Sequence, residues 1–331
     1  MENGEVIVKD YKESDKVKIY ILIFILLAGI ALFLFYGLNE NNIHYNLTKR
    51  VPKVVAILIT GGCIAFASVI FQTIINNRII TPSILGLDAM YGFVQSFVVF
   101  VFGISSIVIT DGRINFIVST IIMMSFAFIL YKTILKDGKS NMFYLLLVGT
   151  VLGTFLGSLK TFMSVLIDPN DYAVLEAKLF ASFSNVNTSI LVLVIILLLV
   201  ISIFFFDDMK YLDVMLLGRE NAISLGVDYD KISKKFLGVI AMLISISTAL
   251  VGPITFLSVI VVNLSYQFIN SYKHKYVITA SVLIGCIALI YGQFIVEKIL
   301  NYNSKISIII NFVGGIYFIY LLLKENNNDR N

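Results

Sequence analysis

Apolar runs recur along the chain at intervals too regular and too long for a soluble fold. Ten can be placed, near residues 18–38, 53–75, 83–104, 114–135, 141–164, 188–206, 236–252, 254–269, 277–298 and 306–323. Most approach the roughly 20 apolar residues that a helix needs to cross a bilayer. None shows the strict polar–apolar alternation of a barrel strand. The pattern predicts an all-α polytopic membrane protein of about ten transmembrane helices. The run from Phe236 to Phe268 is too long for one ordinary helix. "GPI" (Gly252 to Ile254) is its natural break, with glycine giving freedom and proline suiting a helix start.

Between the sixth and seventh runs lies a polar stretch, Asp207 to Lys235. At its centre, glycines bound a short helical pattern in "LLGRENAISLGV" (Leu216 to Val227). Gly218 to Gly226 would make roughly two turns. Leu216, Leu217, Ala222 and Leu225 can form an apolar stripe, with Arg219, Glu220 and Asn221 facing elsewhere. Such a helix lies on the membrane surface or enters a partner's groove; a plain surface connector fits the pattern equally well. In the fifth run Gly149, Gly153 and Gly157 fall on one helix face, where another helix can approach closely. Spacing alone does not choose between internal packing and an interface or path-lining face.

Composition agrees with the pattern. The 331 residues are 58% hydrophobic and 14% charged, against about 25% charged in soluble proteins. Mean hydropathy is +0.92. No large soluble domain fits. Residues 1–17 and 324–331 read as tails flanking a ten-helix transmembrane domain over 18–323, with the polar segment near 214–227 inside it. "IYILIFILLAGIALFLFYGL" (Ile19 to Leu38) reads as a first span rather than a cleavable signal.

Lysine and arginine orient the spans. With the N-terminus inside, the outer segments hold Lys49, Arg50, Lys53, Arg113, Lys160, Lys178, Lys298 and Lys305. The other seventeen of the 25, among them Lys9, Lys12, Lys136, Lys139, Lys324 and Arg330, fall inside. Both termini are therefore expected in the cytoplasm of a multi-pass plasma-membrane protein. The net charge of +4 fits loops facing anionic lipid, without the basic, aromatic-interleaved patch of a nucleic-acid binder.

Chemistry-bearing residues are sparse. Cys63 and Cys286 sit in apolar runs and read as small hydrophobes. His44 and His274 lie in different loops and read as solvated or structural. Asp88 and Glu297 are the clearest intramembrane carboxylates, too few for the relay of an ion-coupled transporter. Asp88 is expected at a helix start or facing the bundle. There is no phosphate-binding G-x-x-x-x-G-K-[ST] and no H-E-x-x-H, so the chain should not hydrolyse ATP by itself. Tyr20, Tyr36, Tyr91, Tyr291 and Tyr317 suit an interfacial belt or packing, since tryptophan is absent.

Four stretches together resemble the iron-siderophore and cobalamin importer permease family, over roughly Val51 to Lys324. They are "RVPKVVAILITGGCIAFASVIFQTIINN" (Arg50 to Asn77), "TPSILGLDAMYG" (Thr81 to Gly92), "LLGRENAISLGV", and "GPITFLSVIVVNLSYQF" (Gly252 to Phe268). The resemblance implies a ten-helix permease that pairs with a second permease, two cytoplasmic ATPase subunits and an extracellular binding protein. ATP and Mg belong to the ATPase, and this chain carries no cofactor. ATPase coupling falls to Leu216, Leu217, Gly218, Arg219, Glu220, Asn221, Ala222, Leu225 and Gly226. Arg50 and Lys53 match basic residues that receive the binding protein; two ordinary interfacial charges are the alternative. Met90, Tyr91, Gln95, Asn263 and Tyr266 are candidates for the translocation path, and each also suits simple packing.

The chain departs from the commoner family pattern at Asn263, Leu264 and Gln267, and in its "TPSILG" entry. These departures resemble a subgroup for catecholate, petrobactin-like or anguibactin-like ferric siderophores, in which two different permeases pair. A heterodimer is expected. Vitamin B12 is disfavoured and haem stays open. The Ile-, Lys- and Asn-rich composition points to a low-GC bacterium, where the binding protein would be a lipoprotein. An ion-coupled secondary transporter is the main rival reading.

Overall fold

The structure, a computed structural model, describes residues 2–38, 43–135, 142–184 and 186–328, with side chains described from 13 to 323 within those ranges. Lys136, Lys139 and Arg330 of the orienting cations lie outside the described residues, as do the side chains of Lys9, Lys12 and Lys324. The described regular elements are all helical: α1 (Glu2–Phe35), α2 (Ile43–Ile75), α3 (Leu87–Phe102), α4 (Ile107–Thr110), α5 (Gly112–Ile134), α6 (Met142–Leu166), α7 (Pro169–Leu179), α8 (Thr188–Phe205), α9 (Leu212–Met215), α10 (Arg219–Ser224), α11 (Tyr229–Val251), α12 (Leu257–Phe268), α13 (His274–Lys298) and α14 (Ile306–Asn328), with short 3₁₀ turns at Pro82–Leu85 and Phe206–Tyr211.

Eight of these helices are long and apolar enough to cross a membrane, and α3 and α12 are shorter apolar helices in the places of the third and eighth runs. The chain is a multi-pass membrane protein. At 1.5 Å per residue, the 12 residues of α12 reach about 18 Å, short of a hydrocarbon core of roughly 30 Å. Both α3 and α12 are preceded by a short segment outside the α-helices, the 3₁₀ turn at Pro82–Leu85 before α3 and the connector 252–256 before α12. Irregular backbone survives at that depth only when protein covers it, and Pro82 and Leu85 of the turn before α3 are indeed buried.

α2 and α11 form the hub. In each, 72% of the most apolar window is buried, against 17% for the span that begins with α8. Small residues let α13 close onto α2. A Cβ on Gly61 of α2 would stand 3.0 Å from the Cys286 backbone nitrogen on α13, and one on Gly285 would stand 3.1 Å from the Gly61 carbonyl. Cys63 and Cys286 are free and buried, in keeping with their apolar surroundings. The fifth-run glycines divide. Gly149 and Gly153 press on the turn before α3, where a Cβ on Gly149 would meet Leu85 Cα at 3.0 Å and one on Gly153 would meet Gly86 Cα at 3.3 Å. Gly157 faces open space.

Several sequence expectations shift. α2 begins ten residues before Lys53, so Arg50, Pro52 and Lys53 lie inside a helix rather than ahead of one. α11 begins at Tyr229, which turns Lys231, Lys234 and Lys235 into first-turns residues of a helix projecting past the apolar run. The break at Gly252 is present, with φ +102, but Pro253 stays in the connector and α12 starts only at Leu257. Lys160, counted among the outer cations at the end of the fifth run, lies within α6, and its stem would be 3.2 Å from a Cβ on Gly92 of α3. Tyr20 and Tyr36 are exposed as a belt requires, whereas Tyr91 is buried.

Candidate functional site

The candidate coupling segment is a compact turn, held from behind and bare in front. Gly218 (φ +89) and Gly226 (φ +84) flank α10, and a Cβ on either would meet nothing within 4 Å. Conformation, not crowding, demands glycine there. The C-terminus closes with the paired bonds of a Schellman motif: Gly226 N–H donates to Ile223 O (2.9 Å) and Val227 N–H to Ala222 O (3.0 Å). The apolar partners of that motif, Ala222 and Val227, are both buried, with Leu212 and Met215 of α9. Tyr229 Oη donates to the Ile74 carbonyl (2.8 Å), tying the start of α11 to the end of α2.

The outward face differs from the stripe expected from spacing. Ala222 points inward, while Leu217, Ile223 and Leu225 are exposed together, and Leu216 is half-buried. Ile223 stands seven residues, about two turns, from Leu216 in an ideal helix, so the spacing could have included it; it is exposed beside Leu217 and Leu225. Arg219 does not stand free. Its Nη2 lies 2.8 Å from Asp230 Oδ2 on α11, and that carboxylate raises the guanidinium pKa above its ordinary value. Asn221 Nδ2 donates to Leu217 O (2.8 Å), and Glu220 is exposed.

Behind α9 sits a buried histidine. His274, the first residue of α13, donates its backbone N–H to Asp213 Oδ1 (2.8 Å), and its Nδ1 lies 2.7 Å from the same oxygen. Its Nε2 lies 2.8 Å from Thr73 Oγ1 near the end of α2. The segment that carries α10 is therefore hydrogen-bonded to two helices of the bundle. His274 is structural, as the sequence suggested, but its partners were not visible there. His44 is exposed.

Arg50 and Lys53 lie at the opposite end of α2, and both are engaged within the chain. Arg50 is buried, and its Nη1 donates to the carbonyls of Leu34 (2.7 Å), Tyr36 (2.9 Å) and Phe33 (3.3 Å), capping the end of α1. Lys53 Nζ lies 2.7 Å from Glu297 Oε1 on α13, and Gln293 Nε2 donates to the same oxygen (2.9 Å).

The path candidates separate into two groups. On α3, Tyr91 and Gln95 are buried and Met90 is half-buried; Gln95 exchanges amide bonds with Asn115 of α5 (2.9 and 3.2 Å) and donates to Ser119 (2.9 Å). On α12, Asn263 donates to the Arg78 carbonyl (3.0 Å), and the ring of Tyr266 lies under the Arg78 guanidinium at 4.4 Å. Arg78, unmarked in the sequence, joins this second group. Asp88, in the first turn of α3, accepts from Thr248 of α11 (3.3 Å) and from Thr255 (3.4 Å), so it faces the bundle and knits the start of α3 to the break before α12.

This bundle of long apolar helices, with the polar, glycine-bounded α10 set between α8 and α11, is that of a multi-pass membrane protein. A model of the FecCD transport family matches residues 19–324. The chain belongs to that family. It is 51% identical over 314 residues to the petrobactin import system permease protein YclO of Bacillus subtilis (strain 168), covering 95% of this chain and 99% of that protein. It is 32% identical over 324 residues to the petrobactin import system permease protein FatC of Bacillus anthracis, covering 95% and 92%. Among solved structures, a metal-chelate type ABC transporter in an inward-facing conformation superposes with a TM-score of 0.80 at 18% identity, covering 94% of this chain and 99% of that one. That likeness concerns the fold.

Proposed function

We propose that the chain is the permease subunit of an ATP-driven importer that moves a ferric siderophore of the petrobactin, catecholate-bearing kind across the plasma membrane. The observation that carries this reading is the 51% identity to a petrobactin import permease along nearly the whole of both chains. In it, both termini are cytoplasmic, with residues 1–17 and 324–331 as cytoplasmic tails. A second, different permease completes the path, and an extracellular lipoprotein delivers the chelate. ATP and Mg act in two separate ATPase subunits, and this chain supplies no ATPase site of its own.

The coupling role belongs to Leu216, Leu217, Gly218, Arg219, Glu220, Asn221, Ala222, Leu225 and Gly226, joined by Ile223. An apolar trio at Leu217, Ile223 and Leu225 on a short, doubly braced helix suits a groove on the ATPase. Arg219 contributes by fixing α10 against Asp230, which leaves Glu220 as the charge offered outward. Arg50 and Lys53 brace the end where the binding protein would dock, through the caps and pairing described above. Asn263 and Tyr266 belong to the path; Met90, Tyr91 and Gln95 support it through the α3–α5 packing.

Uptake of ferric petrobactin into proteoliposomes, driven by ATP and blocked by vanadate, tests the reading. Two short apolar helices, α3 and α12, together with the carboxylate of Asp88, favour a second reading as an ion-coupled transporter, since broken helices are a device of that class. Uptake that follows an imposed ion gradient without ATP would select it.

A further inference from the structure

At the end of the bundle that carries α10, a polar cavity of about 520 Å³ opens between the segment after α2 and the end of α12. Arg78, Tyr266, Gln267, Asn270, Ser271 and Tyr272 supply its polar wall. The cavity is built rather than incidental. Asn263 bonds to both the Arg78 carbonyl and the Val259 carbonyl, each at 3.0 Å, which fixes the arginine's backbone. The guanidinium rests on the Tyr266 ring. Asp15, itself buried, receives the N–H groups of Asn270 and Ser271 at 2.9 Å each and so sets the far wall. Lys18 adds a bond to the Phe268 carbonyl (2.7 Å), and Gln267 reaches Tyr317 on α14 (3.0 Å).

The charge balance of this wall is one-sided. Asp15 is the carboxylate built into it, and both its oxygens are taken by backbone N–H groups. Arg78 is exposed, and among the described residues no carboxylate forms a salt bridge with it. A planar cation with its edge open pairs with two oxygens at once, as in a carboxylate or a catecholate. The exposed ring of Tyr272 offers a face to an aromatic ligand, beside Tyr266, which carries the guanidinium on one face. The site is open to solvent, so its grip is weak and salt-screened, which suits a station that must release.

We propose that this cavity is an exit subsite, where an anionic, catechol-bearing ferric chelate pauses against Arg78 and Tyr266 before it leaves the permease. The proposal rests on the importer reading above and adds the residues and the ligand chemistry of the last step.

The test uses the whole importer in proteoliposomes, with ferric petrobactin as probe and the ratio of chelate moved to ATP hydrolysed as readout. Arg78→Gln should lower that ratio about tenfold, since both the charge and the bidentate edge are lost. Arg78→Lys keeps the charge and recovers part of it, with the remaining deficit growing at high salt. Tyr266→Phe should keep the ring's function, and Tyr266→Leu should not. Lys275→Gln, an exposed cation removed outside the cavity, should leave the ratio unchanged. A wild-type ratio in Arg78→Gln overturns the proposal. So does a defect in which ATP hydrolysis falls in step with uptake, which marks an ATPase contact, or one seen only with anionic vesicles, which marks a lipid headgroup site. Failure of the importer reading looks different: the unaltered complex then leaves ferric petrobactin outside, and the exit assignment goes with it.

Discussion

One carboxylate oxygen, Asp213 Oδ1, holds His274 twice, through the backbone N–H at 2.8 Å and through Nδ1 at 2.7 Å. Asp213 sits on α9, one turn before α10, and His274 begins α13. The same imidazole reaches Thr73 at the end of α2. A push on α10 therefore has a directed route into two helices of the bundle rather than into a slack loop. Asp213→Ala is expected to lower the chelate moved per ATP several-fold while the importer still assembles. Asp213→Asn retains an oxygen for the backbone N–H and should recover part of the loss. Equal ratios in wild type and Asp213→Ala, measured side by side in proteoliposomes, would remove this linkage from the coupling route.

Gly218 bears a second prediction. Its φ of +89 lies far from the roughly −65° that proline imposes. Gly218→Pro must therefore swing α10 out of register with the buried anchors Met215 and Ala222. The variant is expected to reach the membrane, bind its ATPase and hydrolyse ATP without moving chelate. Normal uptake with normal assembly would defeat the coupling assignment. Gly226→Ala is milder, because a Cβ there meets no neighbour and only the left-handed conformation resists it, at about 1–2 kcal/mol.

Lys53 and Glu297 form a pair with side chains 12% and 4% exposed. Removing one partner from such a pair typically costs about 3–5 kcal/mol, because the other charge stays buried and unpaired. Glu297→Ala should thus lower the thermal midpoint of the detergent-solubilised protein clearly, while the double change Lys53→Met with Glu297→Leu should restore most of it. If Lys53 instead acts mainly in docking, Lys53→Met will weaken binding-protein affinity in a salt-dependent way with little change in melting.

The spans were legible because their signal is composition over some 20 residues, and that signal survives any detail of packing. The glycine-bounded cap was legible for a related reason, since polar residues between two apolar runs have no place inside a bilayer. What the sequence could not tell was which way each side chain turns. Ala222 and Leu225 would share a face of a continuous helix, but α10 ends at Ser224, so Leu225 lies past its last turn and is exposed with Ile223 while Ala222 stays buried. Arg50 and Lys53 fell at the edge of the second apolar run and suited interfacial charges; α2 in fact begins earlier, burying Arg50 and partly burying Lys53. Arg78 carried no pattern at all, and only the fold of α12 beneath it gives it a partner.

The glycines of α6 supply a prediction with its own control. Gly149 faces the backbone of the turn before α3, where a Cβ would stand 3.0 Å from Leu85 Cα and 3.1 Å from the Ile84 carbonyl. Neither is the end of a flexible side chain, so Gly149→Val must force backbone apart. Overpacking of this kind costs about 1–3 kcal/mol, and here the displaced segment leads directly into α3 and Asp88. The variant should melt earlier and transport poorly. Gly157, two turns along the same helix, has nothing within 4 Å of a Cβ. Gly157→Ala should melt like the wild type. If the two variants melt alike, the close approach of α6 to the turn at Ser83–Gly86 is not what sets the position of α3. If Gly157→Ala keeps its stability but impairs assembly with the second permease, that open face of α6 is where the two subunits meet.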